Sequence, residues 1–343
     1  METIEDDKYR YMLSIIIPMY NCEPVIYRCL DSIDYTDAEI IVIDDGSVDN
    51  SANIVNLYAK NHKNIRLIRK PNGGPADARN WGIEAAQGKY IQFIDADDDI
   101  CPGGIGRIIK LAEEENADVV KFVVRSVREG DSQIVESLDD FIFTTTIIKG
   151  EAEALQHCEI SDFHVVDGIF RRDVIVDNNI RFHKDMFLRE DDVFMCEFYC
   201  HATTVISTNI PIYCYVRSSN FSSTSKGGKQ KIDKLIKSEL QAILYRKEAI
   251  KIFCPGKVFP YERYKYMRYA FGCQNIMIKS GYYSFKEYYK QLQKFKSEDA
   301  WPISYKTFNI KHYERNLKKI VKIFFCNHPR LAWMFKGILY AKL

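Results

Sequence analysis

At 343 residues, 46% of them apolar or aromatic, the chain can bury one large core or two moderate ones, which excludes a disordered or fibrous protein. Met1 to Met12 carries acids where a secretion signal would be basic and then apolar, and no stretch approaches the roughly 18 uninterrupted apolar residues of a membrane-spanning helix. The net charge of +1 is the sum of two unlike parts: residues 226–343 hold 26 Lys plus Arg against 8 Asp plus Glu, a net of +18, and residues 1–225 carry a net of −17.

From Leu13 to Ile94 short β-branched runs alternate with amphipathic stretches, the rhythm of an α/β domain built on a mainly parallel sheet. Strands are expected over Leu13 to Ile17, Glu39 to Ile43, Asn64 to Arg69 and Lys89 to Ile94, and helices over Glu23 to Ile33, Asn50 to Asn61 and Pro75 to Ala86, the last closed by Gly88. In such folds ligands gather at the carboxyl ends of the strands. A polar motif stands at each of the four ends: Pro18-Met-Tyr20-Asn21, Asp44-Asp45-Gly46-Ser47, Asn72-Gly-Gly-Pro-Ala-Asp-Ala-Arg79-Asn80, and Asp95-Ala96-Asp97-Asp98. Any one of them could be an ordinary turn, whereas four at successive strand ends make a site. Three crowded carboxylates repel one another, so the last motif calls for a cation or a polyhydroxyl ligand.

Asp118 to Val127 reads as a further strand, and a strand-like run ends at Tyr213-Cys-Tyr215. Between them Arg189-Glu190-Asp191-Asp192 opens an apolar helical run, a placement that dipole capping alone would also explain. Gly227-Gly228 marks a hinge, so the chain divides into a domain over 1–225 and a basic helical region over 226–343. In that region apolar residues recur at helical spacing (Ile232, Leu235, Ile236, Ile243; Phe285, Tyr288, Tyr289, Leu292; Leu317, Ile320, Val321, Phe324), and Ser284 with Glu287 forms a capping box. The ten cysteines contain no CxxC pair, which speaks against a zinc site and a disulfide framework and for a reducing cytoplasm.

The ordered set SxIIPxYN, IDDGS, NxGxxxARNxG, DADD and a later ED resembles the family 2 glycosyltransferases of the GT-A fold, over roughly residues 12 to 220. The resemblance implies an inverting enzyme of the kind that builds bacterial surface polysaccharides, moving a sugar from a nucleotide-diphosphate donor, a UDP-sugar by preference, to a hydroxyl of a saccharide or lipid-linked oligosaccharide. It implies that Pro18 and Tyr20 wall the nucleobase with Asn21 beside them, that Asp45, supported by Asp44, accepts from the base imide N–H, and that Arg79 lies near the phosphates or holds the acidic cluster. By the same resemblance Asp95 binds the ribose hydroxyls, Asp97 holds Mn²⁺ or Mg²⁺, and Asp191 is the catalytic base, with Glu190 and Asp192 as neighbouring candidates. Arg217 and Ser222 would belong to a loop closing over the diphosphate. Two departures stand out: Arg189 occupies the place before ED where many relatives have Gly, and His164 to Arg172 stands where relatives often carry a tryptophan and a lysine near the acceptor.

For 226–343 two readings are open. Lys286, Lys290 and Lys294 at four-residue spacing, with Trp333, Phe335 and Tyr340 among basic residues, suit docking on the inner face of the plasma membrane; alternatively the helices pack on the acidic domain or on a second copy of the chain. No nucleic-acid motif is present. The competing function is a catalytically inactive nucleotide-binding scaffold or membrane-docking protein of the same fold. A nucleotidyltransferase would instead need a glycine-rich basic loop after the first strand, where Pro18 to Asn21 stands.

Overall fold

The computed structural model describes residues 8–34, 36–128, 143–150, 153–154, 164–217, 228–256, 260–302 and 327–334. They fall into two compact units. The first draws on Met1–Leu155, Phe163–Lys184 and Phe194–Ser222, the second on Gln156–Asp162, Asp185–Val193 and Ser223–Leu343.

The first unit is a nine-stranded sheet with helices. Strand β1 (Tyr11–Met19) lies between β2 (Ala38–Asp44) and β4 (Gly88–Phe93), parallel to both, and β3 (Ile65–Arg69) extends β2 in parallel. All seven residues of β2 are buried, and Ile40 to Ile43 form a continuous apolar run between two acids, Glu39 and Asp44. The Glu39 carboxylate is satisfied by Ser14 Oγ, which donates to it at 2.7 Å, and by Arg66, 2.7 Å away. Beyond β4 the sheet becomes mixed. Strand β8 (Gly168–Arg171) joins β4 and β6 (Val119–Arg128) antiparallel to both, and β6 pairs in parallel with β9 (Thr204–Arg217). Strand β9, 14 residues long, takes β7 (Thr145–Lys149) along its first half and β5 (Asp99–Ile100) near its end. The stretch His164 to Arg172, expected near an acceptor, thus supplies a 3-10 turn and a sheet strand whose Ile169 and Phe170 are fully buried.

Helices α1 (Ile26–Asp31), α2 (Ser51–Ala59), α3 (Pro75–Ala85) and α4 (Gly104–Glu114) bury one face each, with Ile105, Ile108, Ile109 and Ala112 of α4 in the main core. The helix α3 starts on Pro75, whose fixed φ suits a first helical position. It packs so closely on β1 that a Cβ built at Gly82 would lie 2.2 Å from Ile16 Cγ2. Gly82→Ala is therefore expected to cost about 1–3 kcal/mol of stability through overpacking, measurable as a lower midpoint in urea. Gly88 does not cap α3 as its sequence position suggests. Ala86 is already extended and Gly88 opens β4, where its N–H donates to Ser14 Oγ at 2.8 Å and a Cβ would meet Ser14 N at 2.5 Å. A close approach of two strands, not a helix end, is what requires glycine there.

The second unit is helical, with Lys229–Phe253, Pro260–Ser280, Phe285–Ser297 and the short Pro329–Met334 around its own core of Ile236, Ile243, Met277, Tyr288, Leu292 and Phe295. Ser284 and Glu287 form the expected capping box. The apolar face of Phe285–Ser297 is buried within this unit, with Tyr288, Leu292 and Phe295 fully covered, and Lys286, Lys290 and Lys294 are its solvent face. This helix therefore keeps its apolar stripe for its own core. Leu317 to Phe324, Phe335 and Tyr340 lie outside the described residues, as do Ser222 and Gly227. Asp185–Val193 groups here because Ser238 Oγ accepts the N–H groups of Phe187 and Leu188 at 2.7 and 3.2 Å, and because Asp185 accepts from Gln241 and Tyr245 at 2.6 and 2.9 Å. Among the described residues no helix is long and apolar enough to cross a membrane, and the eight cysteines are all free.

Candidate functional site

The order β3-β2-β1-β4 changes direction between β1 and β4, and in open α/β sheets that switch is where a crevice forms outside the strand ends. The chain leaving β1 carries Tyr20, half exposed at 51%, just past Pro18, which pairs with Ile43. Asn21 is in the left-handed region at φ 52°; its N–H donates to Ser47 Oγ at 3.0 Å and its Oδ1 accepts from Val48 N–H at 3.0 Å. Its side chain thus laces the first strand-end loop to the second.

At the end of β2, Asp44 is buried, accepts Ser47 N–H at 2.9 Å and pairs with Arg69 at 2.7 Å. Asp45 is held differently. Its Oδ1 accepts Gly73 N–H at 2.8 Å and its Oδ2 accepts Gly74 N–H at 2.7 Å, and Lys70 donates to the same carboxylate. Burial works against the charge of Lys70, but Asp45 and Asp77, the latter 2.7 Å away, hold its ammonium above the usual lysine range. Three donors thus hold Asp45 beside the crevice, two on Oδ1 and one on Oδ2, which leaves the second oxygen acceptor capacity.

Arg79, on the buried face of α3, reaches across to Asp95, donating at 2.9 Å, and its guanidinium lies 5.4 Å from the centre of the Phe182 ring. Phe182 is fixed in turn by Asn80, which donates to its carbonyl at 2.8 Å and accepts its N–H at 2.9 Å. The ARN triplet thus holds the acid at the end of β4 and the segment behind it. Of the four acids from Asp95 to Asp99, Asp98 and Asp99 are buried, Asp97 is half-buried, and Asp95 has 41% of its side chain exposed. Burial, and then the charge of Asp95, push the Asp97 carboxyl above its usual range. Arg28 of α1 braces the turn by donating to the Asp97 carbonyl at 2.5 Å and pairing with Asp99 at 2.8 Å. Tyr213 of β9 donates to Asp98 at 2.6 Å and accepts Asp95 N–H at 3.2 Å, and Asp98 also accepts Val216 N–H at 2.8 Å. Arg217, exposed, follows directly on Val216, so β9 delivers it beside the acidic turn.

Burial pushes the Asp98 carboxyl up to about 7 despite the Tyr213 and Val216 donors. In the unfolded chain it ionises near pH 4, so between about pH 4 and pH 7 the folded state keeps a proton that the unfolded state has lost. Its contribution is complete below pH 4 and is lost as pH rises towards 7. Asp98→Asn cannot ionise, and its stability relative to wild type is expected to rise by about 1 kcal/mol per pH unit from pH 5 to 7, read from urea titrations at each pH.

The residues around Asp97 fit a hard divalent cation. Asp95 and Asp97 bring two oxygen-donor carboxylates close enough for the charge of one to raise the carboxyl of the other, the donor chemistry that suits such an ion. Among the described residues no group of three or more His, Cys, Asp or Glu side chains is arranged to hold a metal ion, so Asp97 would share such an ion with ligand oxygens.

The second acidic motif stands in the helical unit. Helix Glu190–His201 begins with Glu190, Asp191 and Asp192 in its first turn, all half-buried, and Asp191 Oδ1 accepts Asp192 N–H at 2.8 Å. The residue before it, Arg189, has φ 72°, the conformation that glycine adopts without cost.

Of the residues with work in these sites, Arg28, Lys70 and Tyr213 carry no motif; the one available signal for Lys70 was a cation next to the NxG turn. Together the switch point, the acid under a glycine turn and the acidic turn define an α/β protein whose polar residues gather at the carboxyl ends of its parallel strands. Residues 14–177 match the model of Glycosyl transferase family 2. The chain is 32% identical over 238 residues to the uncharacterized glycosyltransferase EpsJ of Bacillus subtilis, covering 67% of this chain and 68% of that protein. It is 35% identical over 209 residues to the uncharacterized glycosyltransferase YibD of Escherichia coli, covering 59% of this chain and spanning 60% of that protein's length. The structure of S. aureus TarS 1-349 in complex with UDP has the same fold, with a TM-score of 0.65 at 17% identity over 96% of this chain and 91% of that one. The chain belongs to glycosyl transferase family 2, with the GT-A fold.

Proposed function

We propose that this protein is an inverting glycosyltransferase that moves a sugar from a UDP-sugar to a hydroxyl of a saccharide or lipid-linked oligosaccharide in surface-polysaccharide synthesis. The observation that carries the reading is the placement of Asp45 after β2 and of Asp95 and Asp97 after β4, at the same ends of the parallel strands that flank β1, with Arg79 bonded to Asp95. The UDP held by the S. aureus fold relative supports the choice of nucleotide.

Tyr20 offers a half-exposed ring on which a base can stack. Asp45 accepts the uracil imide N–H with the oxygen capacity that Lys70 and the two glycine amides leave. Asp95, oriented by Arg79, takes the ribose hydroxyls, and Arg217 takes the diphosphate. A divalent cation shared between Asp97 and the diphosphate would offset the charge that develops on the leaving group. Asp191 takes the proton of the acceptor hydroxyl as its oxygen bonds to the anomeric carbon; the bond from that carbon to the phosphate oxygen breaks, and its electron pair leaves with UDP. Attack from the face opposite the nucleotide inverts the centre, so an α-linked donor yields a β-glycoside. The exposed lysines of Phe285–Ser297 would meet an anionic headgroup layer bearing a lipid-linked acceptor through charge alone.

The test is release of UDP from a panel of UDP-glucose, UDP-galactose, UDP-N-acetylglucosamine and UDP-glucuronate with Mn²⁺, first with water as acceptor. Turnover of one member is expected. Intact panels after long incubation, in the presence of bound UDP, would leave a nucleotide-binding scaffold as the function.

A further inference from the structure

Arg189 holds a left-handed φ of 72°, a conformation disfavoured for any residue with a side chain, and it does so immediately before the ED pair. The helical unit supplies what keeps it there. Its guanidinium donates to Glu239, itself 4% exposed, and to Asp192 Oδ2, both at 3.2 Å, and lies 4.9 Å from the centre of the Tyr269 ring. Tyr269 donates to the same Asp192 oxygen at 3.1 Å, and Lys265 stands 3.9 Å from the other. Arg246, with no exposed surface, donates to the Asp192 main-chain oxygen at 2.8 Å and is itself paired with Glu262.

Burying this many charges is a poor route to stability, since a well-packed apolar cluster of the same volume is commonly as stable or more so. What the network does achieve is fixed position. Both carboxylate oxygens and the carbonyl of Asp192 are drawn by cations or a hydroxyl from the helices Lys229–Phe253 and Pro260–Ser280 and from Arg189, so Asp192 is an anchor, and Asp191 is bracketed between two held residues.

We propose that Arg246 and Arg189 are positioning residues for Asp191: through Asp192 and the left-handed turn, the basic C-terminal helices aim the carboxylate that takes the acceptor proton. The inference rests on the reading of Asp191 as the base. The turn needs a positive φ, and here a cation with partners meets that need in place of glycine's freedom.

The test uses the full chain and the panel UDP-sugar that water hydrolyses fastest. Arg246→Met together with Glu262→Leu removes both buried charges at once, so no unpaired ion is left to unfold the protein, and Arg189→Gly keeps the turn while deleting its contacts. Each is expected to lower kcat by roughly 10- to 100-fold, the scale of a displaced catalytic group, with KM for the donor and UDP affinity unchanged and Arg246→Lys partly restored. The deciding readout is non-additivity: on top of Asp191→Asn, the same changes should cost nothing further. Folded variants with wild-type kcat, or losses that multiply with Asp191→Asn, overturn the positioning role. Asp191→Asn with wild-type hydrolysis overturns the base assignment instead, no hydrolysis of any panel member by a wild type that binds UDP overturns the catalytic reading on which both rest, and no UDP binding overturns the donor site.

Discussion

Asp191→Asn is expected to lower sugar transfer by about 10²- to 10⁴-fold, the usual worth of a general base, and to leave UDP affinity and thermal stability unchanged. Asparagine has the shape of aspartate, and its carbonyl oxygen can still accept the Asp192 N–H that Asp191 Oδ1 takes at 2.8 Å. The shape is kept while the charge and the basicity go together, which makes the variant a probe of proton transfer. The pair of measurements is kcat from UDP release and Kd from a UDP titration. Wild-type turnover would place the base elsewhere in the turn, with Glu190 first in line because Asp192 is held by Arg189, Tyr269 and Lys265.

Asp97→Ala is expected to have opposite effects on stability and function. Burial and the charge of Asp95 both disfavour an ionised Asp97, so taking the carboxylate away relieves repulsion and should leave the melting temperature equal to or above that of wild type. Nucleotide binding should suffer: UDP affinity in Mn²⁺ is expected to fall by roughly 10²-fold, about 3 kcal/mol, to its metal-free level, and turnover should vanish. Thermal shifts with UDP, with and without Mn²⁺, read both effects in one experiment, because binding to the folded state raises its stability by mass action. A variant whose UDP shift still responds to Mn²⁺ would move the cation away from Asp97.

The legible part of this protein was its strand ends. β1 to β4 announce themselves by β-branched runs, and Asp44-Asp45, Asn72 to Arg79 and Asp95 to Asp98 follow them directly, so chain order alone brought the donor residues to one edge of the sheet. Residues whose work depends on distant partners left no such trace. Arg28 braces a carbonyl 69 residues away, and Tyr213 reaches an acid 115 residues away; neither pairing has a local signature. Gly88 shows the same limit from the other side. A glycine after a helical stretch reads as a cap, and only the approach of Ser14 from another strand reveals its actual constraint. Asn21 was expected in the donor site for its place beside Tyr20, and the structure shows its amide stitching two loops together. The lysines of Phe285–Ser297 were placed on one face correctly from their spacing, but the sequence left open what covers the other face, which packing within the helical unit settles. Arg189 is the most instructive case: it holds a left-handed turn whose supporting partners, Glu239 and Tyr269, lie some 50 to 80 residues further along the chain.

The measurement that bears most directly on the central claim is a calorimetric titration of UDP and CDP into the wild-type protein with Mn²⁺. Uracil carries an N–H at the position where cytosine carries a bare acceptor nitrogen, and the Asp45 oxygens act as acceptors towards Lys70, Gly73 and Gly74, so Asp45 can accept from the first and has nothing to offer the second. One site per chain is predicted, with UDP bound at least about 10-fold more tightly than CDP, the scale of one hydrogen bond to a charged group. Equal affinity for the two, or no binding of either, would contradict a UDP-sugar site built on Asp45.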